Sequence, residues 1–426
     1  MIYEIDKELY FDSKSLCIIK GDSNLKEYCK FESEEIIVKE NKELPLLIFL
    51  SSTKCNLNCA YCYAEKGTYN MQDKNNMFEA KNYINYYEYL NKNMGPFRAI
   101  SFFGGEPILN FHEIKIFVDY LYITYGIDNM PKLGINTNMT IMNDEIKNFL
   151  EKYSIDIGTS IDGDKNQHNL YRKSYDPNED VYKLVNDNLE RIEKIKSKKI
   201  AQLTLTGQHI SDYKKNGIEY FLKNIEDKKI TKYEIVPVET HNPEICIDLS
   251  DEESENDYRR FCKELAGYFL SKLAEEDTPI IPNLFISIVI AIMKKEYHRD
   301  CKAGYSITVT PKGKIYPCHM FANDYKLGIN IDDCIFENKL IKDDFFEEVR
   351  SSKRNSILKC NNCISEKICG GWCKGFSFLN TGGFKSVSKA RCIMYEVYVK
   401  EIIRYLGNRF NRNSKFINNI ILLSYD

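Results

Sequence analysis

Between Leu46 and about residue 240 the chain alternates two kinds of apolar pattern. Short, continuous β-prone runs at 46–51, 99–103, 133–136, 155–160, 200–205 and 233–238 read as strands. Between them, apolar positions recur at helical spacing over 75–92, 112–125, 144–153, 181–196 and 212–224. Strands alternating with helices predict βα units, hence an α/β fold with a parallel sheet and right-handed crossovers. Residues 1–45 predict only short strands, at 3–10, 16–20 and 35–39. These form either a sheet covering the βα units or an open edge to which a peptide can add as a strand. Residues 241–300 read as a helical linker. The acidic run Asp251-Glu252-Glu253-Ser254-Glu255 opens a helix reaching 274, and a second, apolar helix covers 284–297. Beyond residue 300, Pro311-Lys312-Gly313 between two β-prone runs predicts a hairpin that folds Cys318 back towards Cys301.

Composition narrows the class. With 426 residues, 43% of them hydrophobic, the chain is large enough for two packed domains. A net charge of −3 gives no long-range attraction to nucleic acid or to an anionic membrane. The start, Met1-Ile2-Tyr3-Glu4, lacks a basic region followed by an apolar run, and the apolar stretch 284–293 is too short to cross a bilayer. The expected location is therefore cytoplasmic. Fifteen cysteines in such a chain point to metal or redox chemistry rather than to disulfides. The six histidines, at 112, 168, 209, 241, 298 and 319, form no paired motif and read as ordinary surface or core residues. Cys17, Cys29, Cys246 and Cys262 fit no ligand spacing.

Cys55, Cys59 and Cys62 form a C-x3-C-x2-C array directly after the first predicted strand of the repeating units. Three thiolates can hold three irons of a 4Fe-4S cube and leave the fourth iron open, whereas four cysteines would close it for electron transfer. The position also suits a sheet of βα units, whose ligands gather at the C-terminal ends of the strands.

This array, with the aromatic Tyr61 just before its last cysteine, resembles the signature of the radical S-adenosylmethionine (SAM) enzymes. The resemblance implies a partial (βα)6 TIM-type barrel over 46–240. It also implies SAM chelated at the open iron and cleaved reductively to a 5′-deoxyadenosyl radical, with a reduced flavodoxin or ferredoxin as donor. Further segments fall at strand ends. Gly104-Gly105-Glu106-Pro107 is similar to the family segment that holds the amino group of SAM, with two glycines for close backbone approach and a carboxylate for an ammonium group. At Asn136-Thr137-Asn138-Met139-Thr140, Met139 stands where the family usually has glycine. Ser160-Ile161-Asp162-Gly163 offers Ser160 and Asp162 to the SAM carboxylate or ribose. Arg172 is placed to pair with the carboxylate bidentately.

The later cysteines, Cys301, Cys318, Cys360, Cys363, Cys369, Cys373 and Cys392, resemble the seven-cysteine SPASM extension of these enzymes, here spanning 301–395 and followed by a C-terminal helix and tail over 396–426. By that resemblance Cys360, Cys363, Cys369 and Cys392 hold one auxiliary 4Fe-4S cluster. Cys301, Cys318 and Cys373 hold another, making three clusters in all. Where some members carry a fourth cysteine for the latter, Ile307 stands, which leaves its iron open unless Cys334 or another residue reaches it. An open iron can bind a substrate thiolate. The arrangement, with Gly67-Thr68-Tyr69 downstream of the triad, resembles enzymes that join a peptide cysteine to a carbon of another residue. The expected function is thus maturation of a cysteine-containing ribosomal peptide by thioether formation; no general base can be named. The same radical also serves formylglycine formation, carbon–carbon crosslinking and epimerisation. A zinc-ribbon pair and a plain iron–sulfur electron carrier are the readings from other classes.

Overall fold

The structure is a computed structural model describing residues 1–21, 46–71, 76–226, 230–240, 242–296, 301–337, 343–369, 373–409 and 414–425. The expected strand over 35–39 and Cys29 lie outside the described residues.

Strand β4 (Leu46–Ser52) is apolar along most of its length and buried at six of seven positions, as a strand covered on both faces must be. It follows a three-stranded antiparallel sheet of β1 (Ile2–Asp6), β2 (Leu9–Asp12) and β3 (Cys17–Lys20). The repeating units continue as α1 (Ala80–Met94), β5 (Ala99–Gly104), α2 (Phe111–Tyr125), β6 (Lys132–Thr137), α3 (Asp144–Lys152) and β7 (Asp156–Ser160). Then come α4 (Lys165–Tyr171), α5 (Val181–Arg191), β8 (Lys199–Leu205), α6 (Gly207–Glu226) and β9 (Lys232–Pro237). Strands β4 to β9 pair in sequence order and all in parallel. Each βα crossover lays its helix on the outer face. The burial of β6 to β9 therefore alternates, with Ile135, Ile157, Leu203 and Ile235 in the helix-covered core and Asn136, Gly158, Gln202 and Glu234 on the inner face. The outer layer is knit by aromatic rings. Tyr83 stacks on Phe78 and Phe117 at centroid distances of 4.4 and 5.2 Å, with Phe49 edge-on to all three.

Three features differ from expectation. First, the hairpin of β10 (Ile307–Val309) and β11 (Lys314–Tyr316) does not stand in a separate domain. Strand β10 pairs in parallel with β4, Ile307 opposite Leu47, and β12 (Ile329–Asn330) extends the sheet beyond β11. The result is one open sheet of nine strands among the described residues, with β12 and β9 at its ends. Second, α7 (Glu252–Glu275) and α8 (Asn283–Lys294) are not a linker. Phe261, Leu265, Phe269 and Phe285 are fully buried in the main core. Third, the N-terminal sheet covers a C-terminal helix rather than the barrel.

The remaining helices are α9 (Ile331–Glu337), α10 (Asp344–Ser351), α11 (Leu358–Asn361), α12 (Lys374–Thr381), α13 (Lys389–Arg409) and α14 (Ser414–Tyr425). Helix α13 receives both outlying elements. Arg404 pairs with Asp6 at 3.0 Å and donates to the Ile5 carbonyl, while Arg259 of α7 pairs with Glu396 at 3.0 Å. Among the described residues, no helix is long and apolar enough to cross a membrane.

Candidate functional site

The cysteine loop leaves β4 at Ser52 and is clamped from outside. Asn58 and Ala60 donate their backbone N–H groups to the carbonyls of Lys173 (2.6 Å) and Tyr171 (2.8 Å), at the end of α4. Cys55, Cys59 and Cys62 are all half-buried and unbridged. Donors face the first sulfur: Leu57 N–H at 3.4 Å and Asn138 Nδ2 at 3.8 Å. Burial, with the Glu106 charge beside it, pushes the Cys55 thiol up to about 12. Burial likewise pushes Cys59 up to about 11, against the opposing pull of Arg172. These thiols ionise only against a strong local positive charge, which a metal cluster supplies.

The loop after β5 rests directly on this one. A Cβ on Gly104 would stand 2.4 Å from the Ser52 carbonyl oxygen, and one on Gly105 would stand 2.3 Å from that of Lys54. Both glycines are thus demanded by contact with the chain's own backbone. Glu106 is fully buried and turned inward. Its oxygens accept from Ile108 N–H (3.0 Å), Thr137 Oγ1 (2.7 Å) and Asn138 N–H (2.7 Å), and burial raises it to about 7. It ties the end of β5 to that of β6. Met139 takes φ +61°, the left-handed region that glycine favours, and its carbonyl accepts from Asn188 (2.9 Å). The turn shape survives the residue change.

Asp162 and Arg172 likewise find each other. Arg172 Nε and Nη2 reach the Asp162 carboxylate at 2.7 and 3.3 Å, and Thr204 N–H adds a bond of 2.8 Å. Tyr61 donates its hydroxyl to the same carboxylate, and the guanidinium lies 5.3 Å from the Tyr61 ring centre. Burial, the largest single influence, would raise Asp162, but the charges of Arg172 and His168 and the hydrogen bonds from Arg172 and Tyr61 together hold the carboxyl below its usual range. Asp162 and Arg172 are buried and Tyr61 half-buried in this network, whose effect is to fix the cysteine loop to the ends of β7 and β8. Ser160 stands apart at the end of β7, half-buried on the inner face, with Gln202 opposite it in register.

The later cysteines gather in two places. Cys301, Cys318 and Cys373 lie close enough to feel one another's charge. They come from the segment before β10, the segment after β11 and the N-cap of α12. Backbone N–H groups of Ala303, Lys374, His319, Met320 and Phe376 point at their sulfurs. Cys360, Cys363, Cys369 and Cys392 line one cavity with Ser365, Arg391 and Tyr395. Four thiols ringing one cavity fit a cluster. Among the described residues no three His, Cys, Asp or Glu side chains form a site for a single metal ion. Ile307 is fully buried in the main core beside Leu47, and Cys334 sits on α9 with its carbonyl taking the Tyr89 hydroxyl of α1 at 3.2 Å. Cys262 is buried inside α7, and the Cys246 thiol donates to the Thr240 carbonyl.

One apolar cluster joins the two regions. Ile48, Leu50, Tyr69 and Met71 of the barrel pack with Ala303, Tyr316, Phe321 and Ala322, and Cys62, Cys301 and Cys318 all lie against it.

Residues 49–187 match the Radical SAM superfamily. The chain carries a radical SAM domain. Such domains use a 4Fe-4S cluster and SAM. Over 94% of this chain and 83% of the relative, it is 25% identical to the radical SAM cyclopropyl synthase TigE of Paramaledivibacter caminithermalis. Among solved structures, anSMEcpe with bound AdoMet superposes at a TM-score of 0.66, with 19% identity, covering 89% of this chain and 100% of that one. SuiB of Streptococcus suis bound to precursor peptide SuiA gives 0.54, with 18% identity, covering 82% and 76%. These two likenesses establish the fold, as expected of a radical SAM barrel carrying a cysteine-rich C-terminal region.

Sequence reading passed over the inner face of this radical SAM barrel. Asn136 and Gln202 project there exposed, and Asn136 donates to Ser101 at 2.9 Å. Their signal was present, since every second residue of β6 and β7 is polar or small, as are Gln202 and Thr204 of β8. It also passed over His319, which stands beside Cys318.

Proposed function

We propose that this radical SAM enzyme matures a cysteine-containing peptide, joining a cysteine sulfur to a carbon of another residue as a thioether. The observation that carries the reading is the three-thiol set Cys301, Cys318 and Cys373. Cys301 and Cys318 of this set lie against the same apolar cluster as Cys62 of the triad loop, while Ile307 is buried in the main core beside Leu47. Three 4Fe-4S clusters follow from this reading: on Cys55, Cys59 and Cys62; on Cys301, Cys318 and Cys373, with an open iron; and on Cys360, Cys363, Cys369 and Cys392. When bound, SAM and the clusters supply the adenosyl radical, a site for the peptide thiolate and a sink for one electron.

The chain's own residues supply placement. Asp162 and Arg172 hold Tyr61 and Cys59 still, Glu106 locks the ends of β5 and β6, and Ser160 with the exposed Asn136 and Gln202 forms a polar inner face that can hydrogen-bond a peptide backbone. The apolar cluster keeps water from the space between the two cysteine sets. Each thioether removes two hydrogens from the peptide: one atom to deoxyadenosine, and one as a proton and an electron when the C–S bond forms. That SuiB binds a precursor peptide on a similar fold supports a peptide substrate. On this reading residues 46–240 are the SAM-cleaving unit, 301–395 the auxiliary-cluster unit, and a reduced flavodoxin or ferredoxin the donor.

Carbon–carbon bond formation is the second reading, favoured by the likeness to a cyclopropyl synthase along nearly the whole chain. Anaerobic incubation of the reconstituted enzyme with reductant, SAM and cysteine-containing test peptides separates the two. Both products lose two hydrogens by mass spectrometry. The thioether protects its cysteine from alkylation, whereas deoxyadenosine formation with every cysteine alkylated overturns that reading.

A further inference from the structure

His319 lies between the two cysteine regions. It opens the short turn His319–Asn323 directly after Cys318, and its Nδ1 stands 3.7 Å from the Cys318 sulfur. Its ring meets two others. Phe103, on the inner face of β5 just before Gly104, lies 4.8 Å away with planes tilted by 30°, and Tyr63, directly after Cys62, lies 5.9 Å away. The turn is anchored to the triad loop a second time, by Asn323 Nδ2 donating to the Tyr63 carbonyl at 3.0 Å. A thiolate bound to a cluster has only acceptor capacity, so a hydrogen bond between these atoms requires the proton on Nδ1. Hydrogen bonds to the sulfurs are among the factors that set a cluster's potential, because they stabilise the more negative, reduced state.

We infer that His319 is a positioning residue that donates Nδ1–H to the Cys318 sulfur and raises the reduction potential of the cluster held by Cys301, Cys318 and Cys373. Phe103 and Tyr63 fix the ring that makes the bond. The inference rests on the reading that these three cysteines hold a cluster.

Redox titration of the reconstituted protein, followed by electron paramagnetic resonance, tests it. His319→Phe keeps an aromatic ring and loses the donor. It lowers one cluster's reduction equilibrium about tenfold, or about 59 mV for one electron, and leaves the cluster lost in Cys55→Ala where it was. His319→Asn, which restores a donor near Nδ1, returns most of the shift. Should His319→Phe bind less iron, the wild-type protein carrying nitrogen-15-labelled histidine decides. The signal lost in Cys318→Ala shows weak nitrogen-15 coupling if the bond exists. Unchanged potentials in an iron-replete His319→Phe, or no such coupling, overturn the role of the histidine. Undiminished iron in Cys318→Ala overturns the cluster reading itself.

Discussion

The two cysteine regions are built in opposite ways. The triad occupies one short loop, from Cys55 to Cys62, and everything around it is a clamp: Gly104 and Gly105 beneath, Asn138 beside the first sulfur, Arg172 beside the second. The later set is scattered from Cys301 to Cys392 and is assembled by the hairpin, the start of α12 and the start of α13. In the first region the spacing of ligands is local and the fold protects it. In the second the fold creates the spacing. A local site is therefore lost through its own residues or its clamps, and a gathered site through any element that brings its parts together.

The largest expected difference is in activity. Cys55→Ala abolishes deoxyadenosine formation, measured by liquid chromatography. Cys318→Ala keeps deoxyadenosine formation and loses the modified peptide. Equal loss of both activities in the two variants would erase the contrast.

The clamp comes next. Asp162→Asn leaves Arg172 buried without its counter-charge and costs about 3–5 kcal/mol in chemical denaturation. Because Asp162 is held below the ordinary carboxylate range, its contribution is present above about pH 4 and is lost as the pH falls further. Acid denaturation of the variant is accordingly less steep than that of the parent. Gly105→Ala forces a Cβ onto the Lys54 carbonyl, costs about 1–3 kcal/mol and releases iron from the triad first. Gly383→Ala, where no atom lies within 4 Å, serves as its control.

The smallest effect concerns Ile307. Its side chain lies in the main core, so Ile307→Cys loses buried methyl groups, for about 1 kcal/mol. It leaves the iron content and every cluster's magnetic resonance spectrum unchanged. A changed spectrum would mean that position 307 does reach the neighbouring cysteine set.

Much of this molecule was legible before the structure. The β-prone runs at 46–51, 99–103 and 200–205 are strands to within a residue or two, because a strand shows itself locally, as an apolar run where both faces are buried or as an alternation where one is. The cysteine triad was legible for the same reason. Less legible were partners. Glu106, Asp162 and Arg172 are the residue types a charged ligand needs, but folding also places Asp162 on Arg172 and Glu106 on Ile108, Thr137 and Asn138. The inner-face residues Asn136 and Gln202 were legible as an alternation and were passed over. His319 was not legible, since nothing local to residue 319 reports Phe103 or Tyr63.

By itself, then, the sequence determined the order of strands and helices, the class of the barrel, the compact triad and the shortage of one cysteine among the later ones. Each of these rests on residues near one another in the chain, where periodicity and spacing act directly. Only the tertiary structure decided that β10 joins β4, that α7 and α8 belong to the core, that the buried carboxylates face inward, and that an apolar cluster with His319 at its rim joins the two cysteine regions. Those are pairings between distant segments, selected by which apolar faces and polar groups can satisfy each other once the chain has closed its loops.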